Sequence, residues 1–149
     1  MFYTIVQNGK TIIQKTTSRN GKDWSASSTI VSKPPGRGFY TLSGLNIDKH
    51  ICLLVESTTH SRRHQTLLYC DQGDGTFVPS KNNPVMVDRD WEKKWNTIRY
   101  GFHLLPDKGK YIVYHNVLPH LGAESGGQIV RSELNMNLLE NSALNLLDN

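Results

Sequence analysis

The stretch YTLSGLNIDKHICLLVESTTHSRRHQTLLYCDQGDGTF, residues 40–77, decides the fold. It opens with a run rich in β-branched and aromatic residues, Tyr40 to Ile47, reverses at Asp48-Lys49, and resumes as Ile51-Cys52-Leu53-Leu54-Val55. A polar and charged segment separates that hairpin from Thr66-Leu67-Leu68-Tyr69-Cys70, after which an Asp-Gly turn leads to Phe77. Short apolar runs bounded by Gly, Asn, Asp and Ser read as strands, because branched and aromatic side chains fit a pleated surface. The unit is strand, tight turn, strand, longer loop, strand, turn, strand.

Working outward, the same unit recurs on both sides. Upstream lie Phe2-Tyr3-Thr4-Ile5-Val6, the turn Asn8-Gly9, and Thr11 to Ser18. Downstream lie Ile98 to Leu105, the turn Asp107-Lys108-Gly109, Tyr111-Ile112-Val113-Tyr114, and Gly127 to Ser132. A period of roughly 50 to 60 residues with four strands belongs to β-propeller blades. The expected fold class is all-β, with propeller-like four-stranded antiparallel blades, about two and a half per chain. The expected organisation is one domain over 1–149, with a partial blade at 1–33, a blade at 39–87, and a blade plus tail at 96–149. The chain opens in what reads as a second strand, so the first blade is expected to lack its innermost one. The tail from Leu134 reads as a terminal helix or an outer strand. The same alternation also fits a sandwich of roughly ten strands.

Composition narrows the class. Of 149 residues, 37% are hydrophobic and 20% charged, enough apolar material for one core, which excludes wholesale disorder. No apolar run approaches the roughly 20 residues that cross a bilayer as a helix, so no membrane partner is expected. The N-terminus lacks the basic-then-apolar pattern of a signal peptide, which leaves the location open and makes it cytoplasmic if the chain is complete. The net charge of +4 is mild and its basic residues are scattered, so no nucleic-acid partner is expected. Two cysteines, Cys52 and Cys70, make no disulfide framework and read as buried free thiols.

The turn Ser18-Arg19-Asn20-Gly21-Lys22-Asp23-Trp24 follows a blade's third strand. It resembles the Ser-x-Asp-x-Gly-x-x-Trp box of sialidases. It is closer still to the Ser-x-Asp-Gly-x-x-Trp turn of five-bladed glycoside hydrolase propellers of the arabinanase, xylosidase and invertase type, with Asn20 standing for the usual Asp. A short Asx side chain caps the turn backbone, Gly supplies a positive φ, and Trp24 is expected to pack under the blade edge. A shifted copy, Cys70-Asp71-Gln72-Gly73-Asp74-Gly75-Thr76-Phe77, keeps an Asp-Gly turn and an aromatic. A third, degenerate copy is expected at Ser132 to Leu138. The resemblance is to blade architecture, and it implies carbohydrate chemistry.

Strands 1 and 3 of a blade run the same way, so the loops entering them share one end. Those loops, Ser32 to Phe39, Glu56 to Gln65, Asp88 to Thr97 and His115 to Gly127, are the long and side-chain-rich ones. Hydrolysis of a glycosidic bond needs two carboxyls about 5 to 10 Å apart. Glu56 is the candidate general acid and Asp90 the candidate partner, with Asp88 and Glu124 as alternatives. Trp91 and Trp95 supply rings to stack on a sugar, Arg63 a hydrogen-bonding cation, and Arg99, Tyr100 and His103 an inner-strand surface. No metal is expected, since His60 and His64 lie in a loop and His115 and His120 complete no zinc pattern. No phosphate-cradling glycine motif or nucleophile elbow is present, so no cofactor is expected.

The expected function is therefore a glycosidase-related propeller protein acting on or binding a carbohydrate, or a non-enzymatic glycan-binding or protein-interaction module. Closure needs about four blades or more. A fragment of a longer protein, a different β-fold, or a homodimer sharing one ring would each resolve the shortfall. The dimer is the expected partner arrangement, because closed twofold pairs are the commonest oligomers.

Overall fold

The computed structural model describes residues 1–32, 38–47, 49–58, 64–87, 98–108, 110–118 and 128–135. Among them all regular structure is β. The strands are β1 (Phe2–Gln7), β2 (Lys10–Lys15), β3 (Ser28–Ser32), β4 (Phe39–Ile47), β5 (His50–Thr58), β6 (His64–Asp71), β7 (Phe77–Pro79), β8 (Met86–Val87), β9 (Ile98–Asp107), β10 (Lys110–Leu118) and β11 (Gln128–Asn135). They form three antiparallel sheets, β1–β2–β3, β4–β5–β6–β7 and β9–β10–β11, with β8 also paired to β6. The sheets are blade-like and make an incomplete propeller, with the middle sheet packed on both faces.

The two faces of the middle sheet follow the period of two along β5. Cys52 and Leu54, with Leu45, Ile47, Leu68 and Cys70, pack against Tyr111, Val113 and Leu134 of the third sheet. Leu53 and Val55, with Phe39, Leu67 and Phe77, meet Ile13 and Val31 of the first sheet. Burial on both faces is why residues 52–55 read as an unbroken apolar run rather than an alternating one. Each fully buried leucine or valine stabilises the fold by about 1.5–3 kcal/mol. The Tyr111 hydroxyl donates to the Asn46 carbonyl at 3.1 Å and joins the second and third sheets. Phe2 and Phe77 make an edge contact at 5.6 Å between the first and second.

Both expected Asx turns form. In the first, Asn20 Oδ1 accepts the amides of Lys22 and Asp23 at 2.9 Å, Ser18 Oγ accepts the Gly21 amide at 2.8 Å, and Gly21 has φ 73°. In the second, Asp71 Oδ1 accepts the amides of Gly73 and Gly75 at 2.9 and 2.8 Å, with φ 95° and 89° at the two glycines. Each turn connects the strand pairs β2–β3 and β6–β7. Phe77 is buried as expected, but Trp24 is 47% exposed, because the Ser18 and Asn20 hydrogen bonds close the turn without the indole.

Four expectations need correction. Cys52 and Cys70 are not free thiols: they stand directly opposite on β5 and β6, with Cα atoms 4.1 Å apart, and form a disulfide. A close cross-strand pair brings two Cβ atoms together, and only strand register reveals it. The third turn copy is absent at its start, since Ser132 to Asn135 lie inside β11, where Leu134 reaches the core. Residues 136–149, including the rest of that copy and the tail, lie outside the described residues. Glu56 and His115 are strand residues rather than loop residues, on β5 and β10.

The second and third sheets repeat residue by residue. Ile47 pairs with His50, and Asp107 with Lys110, so β9 and β10 are offset by 60 from β4 and β5. Both hairpins carry a bulge at the matching place, between Phe39 and Leu42 in one and opposite His115 and Asn116 in the other. The outer pairings agree: Cys52 with Cys70, and Ile112 with Glu133. Along the outer edge of β6, Asn83 fills the gap between β7 and β8. Its amide accepts the Leu68 N–H at 2.7 Å and donates to the Leu68 carbonyl at 2.9 Å, as a strand residue would.

Candidate functional site

Among the described residues, two regions of the second and third sheets gather polar side chains. The first is a layer buried between the second and third sheets, beyond the leucines. Glu56, in register with Thr66, has no solvent exposure, and its Oε2 accepts a hydrogen bond from Thr41 Oγ1 at 3.0 Å. Strand parity puts Glu56 on the face that meets the third sheet. There His115 is 2% exposed and shares a hydrogen bond with Ser132 Oγ at 3.3 Å through Nε2. Thr66 Oγ1 is buried and finds no hydrogen-bond partner among the described residues. A carboxylate held this way is satisfied within the protein.

The second region is open. A cleft of about 400 Å³ is lined by His103, Tyr114, His115, Asn116 and Ile129. His103 and Tyr114 are register partners on β9 and β10, and Asn116 and Ile129 on β10 and β11. These four therefore share one face of the third sheet. Arg131, opposite Tyr114 in the ladder, reaches Glu133 at 2.9 Å, while Lys110 reaches the same carboxylate at 2.7 Å. The hydrogen bond to Glu133, more than any other cause, raises the Arg131 pKa, and the hydrogen bond from Lys110 leads in lowering that of Glu133.

Among the described residues, the structure brings one expected site residue, His103, to an open cleft. Glu56 lies in the buried layer. Arg99 and Tyr100 occupy β9 opposite Val117 and Asn116, and their side chains lie outside what the structure describes. Arg63, Asp90, Trp91 and Trp95 lie outside the described residues, as do Asp88, Glu124, His60 and His120. Among the described residues no three His, Cys, Asp or Glu side chains gather as for a metal. Sequence reading missed Tyr114, Asn116 and Ile129. No local pattern marks them, because Tyr111-Ile112-Val113-Tyr114 is a continuous apolar run and Ile129 and Val130 are adjacent.

No family model matches the chain, and no curated protein matches it.

Proposed function

We propose that this is a propeller-blade protein of glycosidase-related type that engages a carbohydrate, and that binding rather than hydrolysis is its primary activity. The observation that carries the reading is the pair of Asx-capped turns, each following the same kind of strand in successive blades. That is the turn chemistry of the sialidase and five-bladed glycoside hydrolase propellers. Fold-level likeness alone confers no activity, so the weight moves to the sites. An open cleft with an aromatic ring, a carboxamide and an imidazole supplies what a sugar needs: an apolar face to stack on and groups to bond its hydroxyls.

Binding is favoured over hydrolysis because Glu56 has no exposure and already accepts a hydrogen bond from Thr41. A general acid must reach the bond it protonates. The hydrolytic alternative keeps Glu56 as acid and Asp90 as its partner on the rim. The test is a glycan array followed by hydrolysis assays on any sugar bound. Binding without turnover in the wild type supports the binding reading, whereas turnover untouched by Glu56→Gln and Asp90→Asn refutes both that reading and the assignment of these two carboxyls. Turnover abolished by both substitutions in a folded protein refutes it, and no binding to any glycan defeats the carbohydrate reading as a whole.

A further inference from the structure

The repeat between the second and third sheets makes each residue of one face comparable with its counterpart. On the second sheet, Leu54, Glu56, Leu68 and Cys70 point toward the third sheet and are buried. The offset places Tyr114 at the position of Leu54 and Asn116 at that of Glu56. The ladder partners place Arg131 at the position of Leu68 and Glu133 at that of Cys70. The face that buries leucine and cysteine in one blade therefore carries a phenol, a carboxamide and an ion-paired arginine and glutamate in the next.

That exchange decides what the face can take. Packing another blade on it as the third packs on the second would bury the Arg131–Glu133–Lys110 charges, at a desolvation cost that their mutual attraction does not readily repay. Instead the charges hold one another at 2.7 and 2.9 Å. Tyr114, opposite Arg131 in the ladder, lines the cleft beside them. Among the described residues the lining, His103, Tyr114, His115, Asn116 and Ile129, contains no carboxylate. Ile129 is 76% exposed and Leu105, on the same face, 54%.

We infer that this face of the third blade is a binding site for a neutral oligosaccharide: Tyr114 and Ile129 meet the apolar face of a sugar ring, and Asn116 and His103 bond its hydroxyls. The inference rests on the carbohydrate reading above and locates it away from the rim loops. It also places the second copy expected from the strand count somewhere other than on this face.

The experiment is a titration of the full chain, with isotope-labelled isoleucine methyls, histidine rings and tryptophan indoles, against neutral hexose and pentose oligosaccharides and a uronate oligosaccharide. Neutral sugars should shift Ile129 and His103 in the millimolar range, about 1 mM. The double variant His103→Ala/Asn116→Ala should weaken that binding about tenfold or more. Both residues are exposed, so the variant folds, which its unchanged core methyl spectrum checks. Shifts confined to Trp91 and Trp95 would overturn this site and keep the carbohydrate reading. A preference for the uronate would overturn the neutral class. Shifts of the same residues on dilution alone, with a falling solution mass, would show that a second copy covers the face and overturn the inference. No shift with any sugar would overturn both readings.

Discussion

The cross-strand bond between Cys52 and Cys70 makes the sharpest prediction, because a disulfide acts largely by constraining the unfolded chain. The two residues are separated by 18 positions, and the loop they close includes residues 59–63. Opening the bond returns to the unfolded chain the entropy of that loop. For a loop of this length the chain-entropy relation gives about 3 kcal/mol at 25 °C. For a chain of 149 residues, 1 kcal/mol moves the melting temperature by about 2–4 °C, so reduction should lower it by roughly 10 °C. The comparison is wild-type protein, as isolated under non-reducing conditions, against wild-type protein refolded in reductant. Both thiols are buried among Leu54, Leu68 and Val113, so the protein must be unfolded before it is reduced. Thiol titration in denaturant should find none in the first sample and two in the second. Melting curves that coincide within about 2 °C would refute the loop-entropy argument. Two reactive thiols in the oxidised sample would refute the bond itself.

Other parts of the fold answer to equally direct tests. Asn83→Ala removes the amide that pairs with both backbone groups of Leu68 and should cost about 1–3 kcal/mol in denaturant unfolding; an unchanged midpoint would mean that β7 and β8 hold that edge unaided. Gly73→Ala forces a Cβ onto a residue with φ 95° and should cost about 1–2 kcal/mol, although open space surrounds it; a neutral effect would show that the Asp71 turn relaxes freely. Glu133 titrates below the ordinary glutamate range, chiefly because Lys110 bonds its carboxylate and secondarily because Arg131 does. Its small stabilising contribution is present above the ordinary glutamate pKa and lost as pH falls through its own lower value. Lys110→Met should move that value up in a carboxyl NMR titration, and no movement would argue against the pairing.

The all-β class and the blade repeat were legible because they rest on short-range rules. Asn20-Gly21 and Asp71-Gln72-Gly73 specify turns through their own backbone, and the side chains of 52–55 specify a strand buried on both faces. The site was less legible. Glu56 ends an apolar run exactly as a rim carboxylate would, and nothing local distinguishes a rim position from one under a neighbouring sheet. His115 read as a loop residue because the polar segment after it begins without a break.

The sequence by itself thus determined where the strands reverse and which residues share a face of each sheet, since both depend on neighbours within a few positions. The tertiary structure decided which faces are covered. Burial of Glu56, pairing of Cys52 with Cys70 and the opening of the cleft beside Tyr114 depend on residues 15 to 65 positions away meeting along strand ladders and between sheets. Those meetings are set by register and by sheet stacking, and a period of two along one strand contains neither.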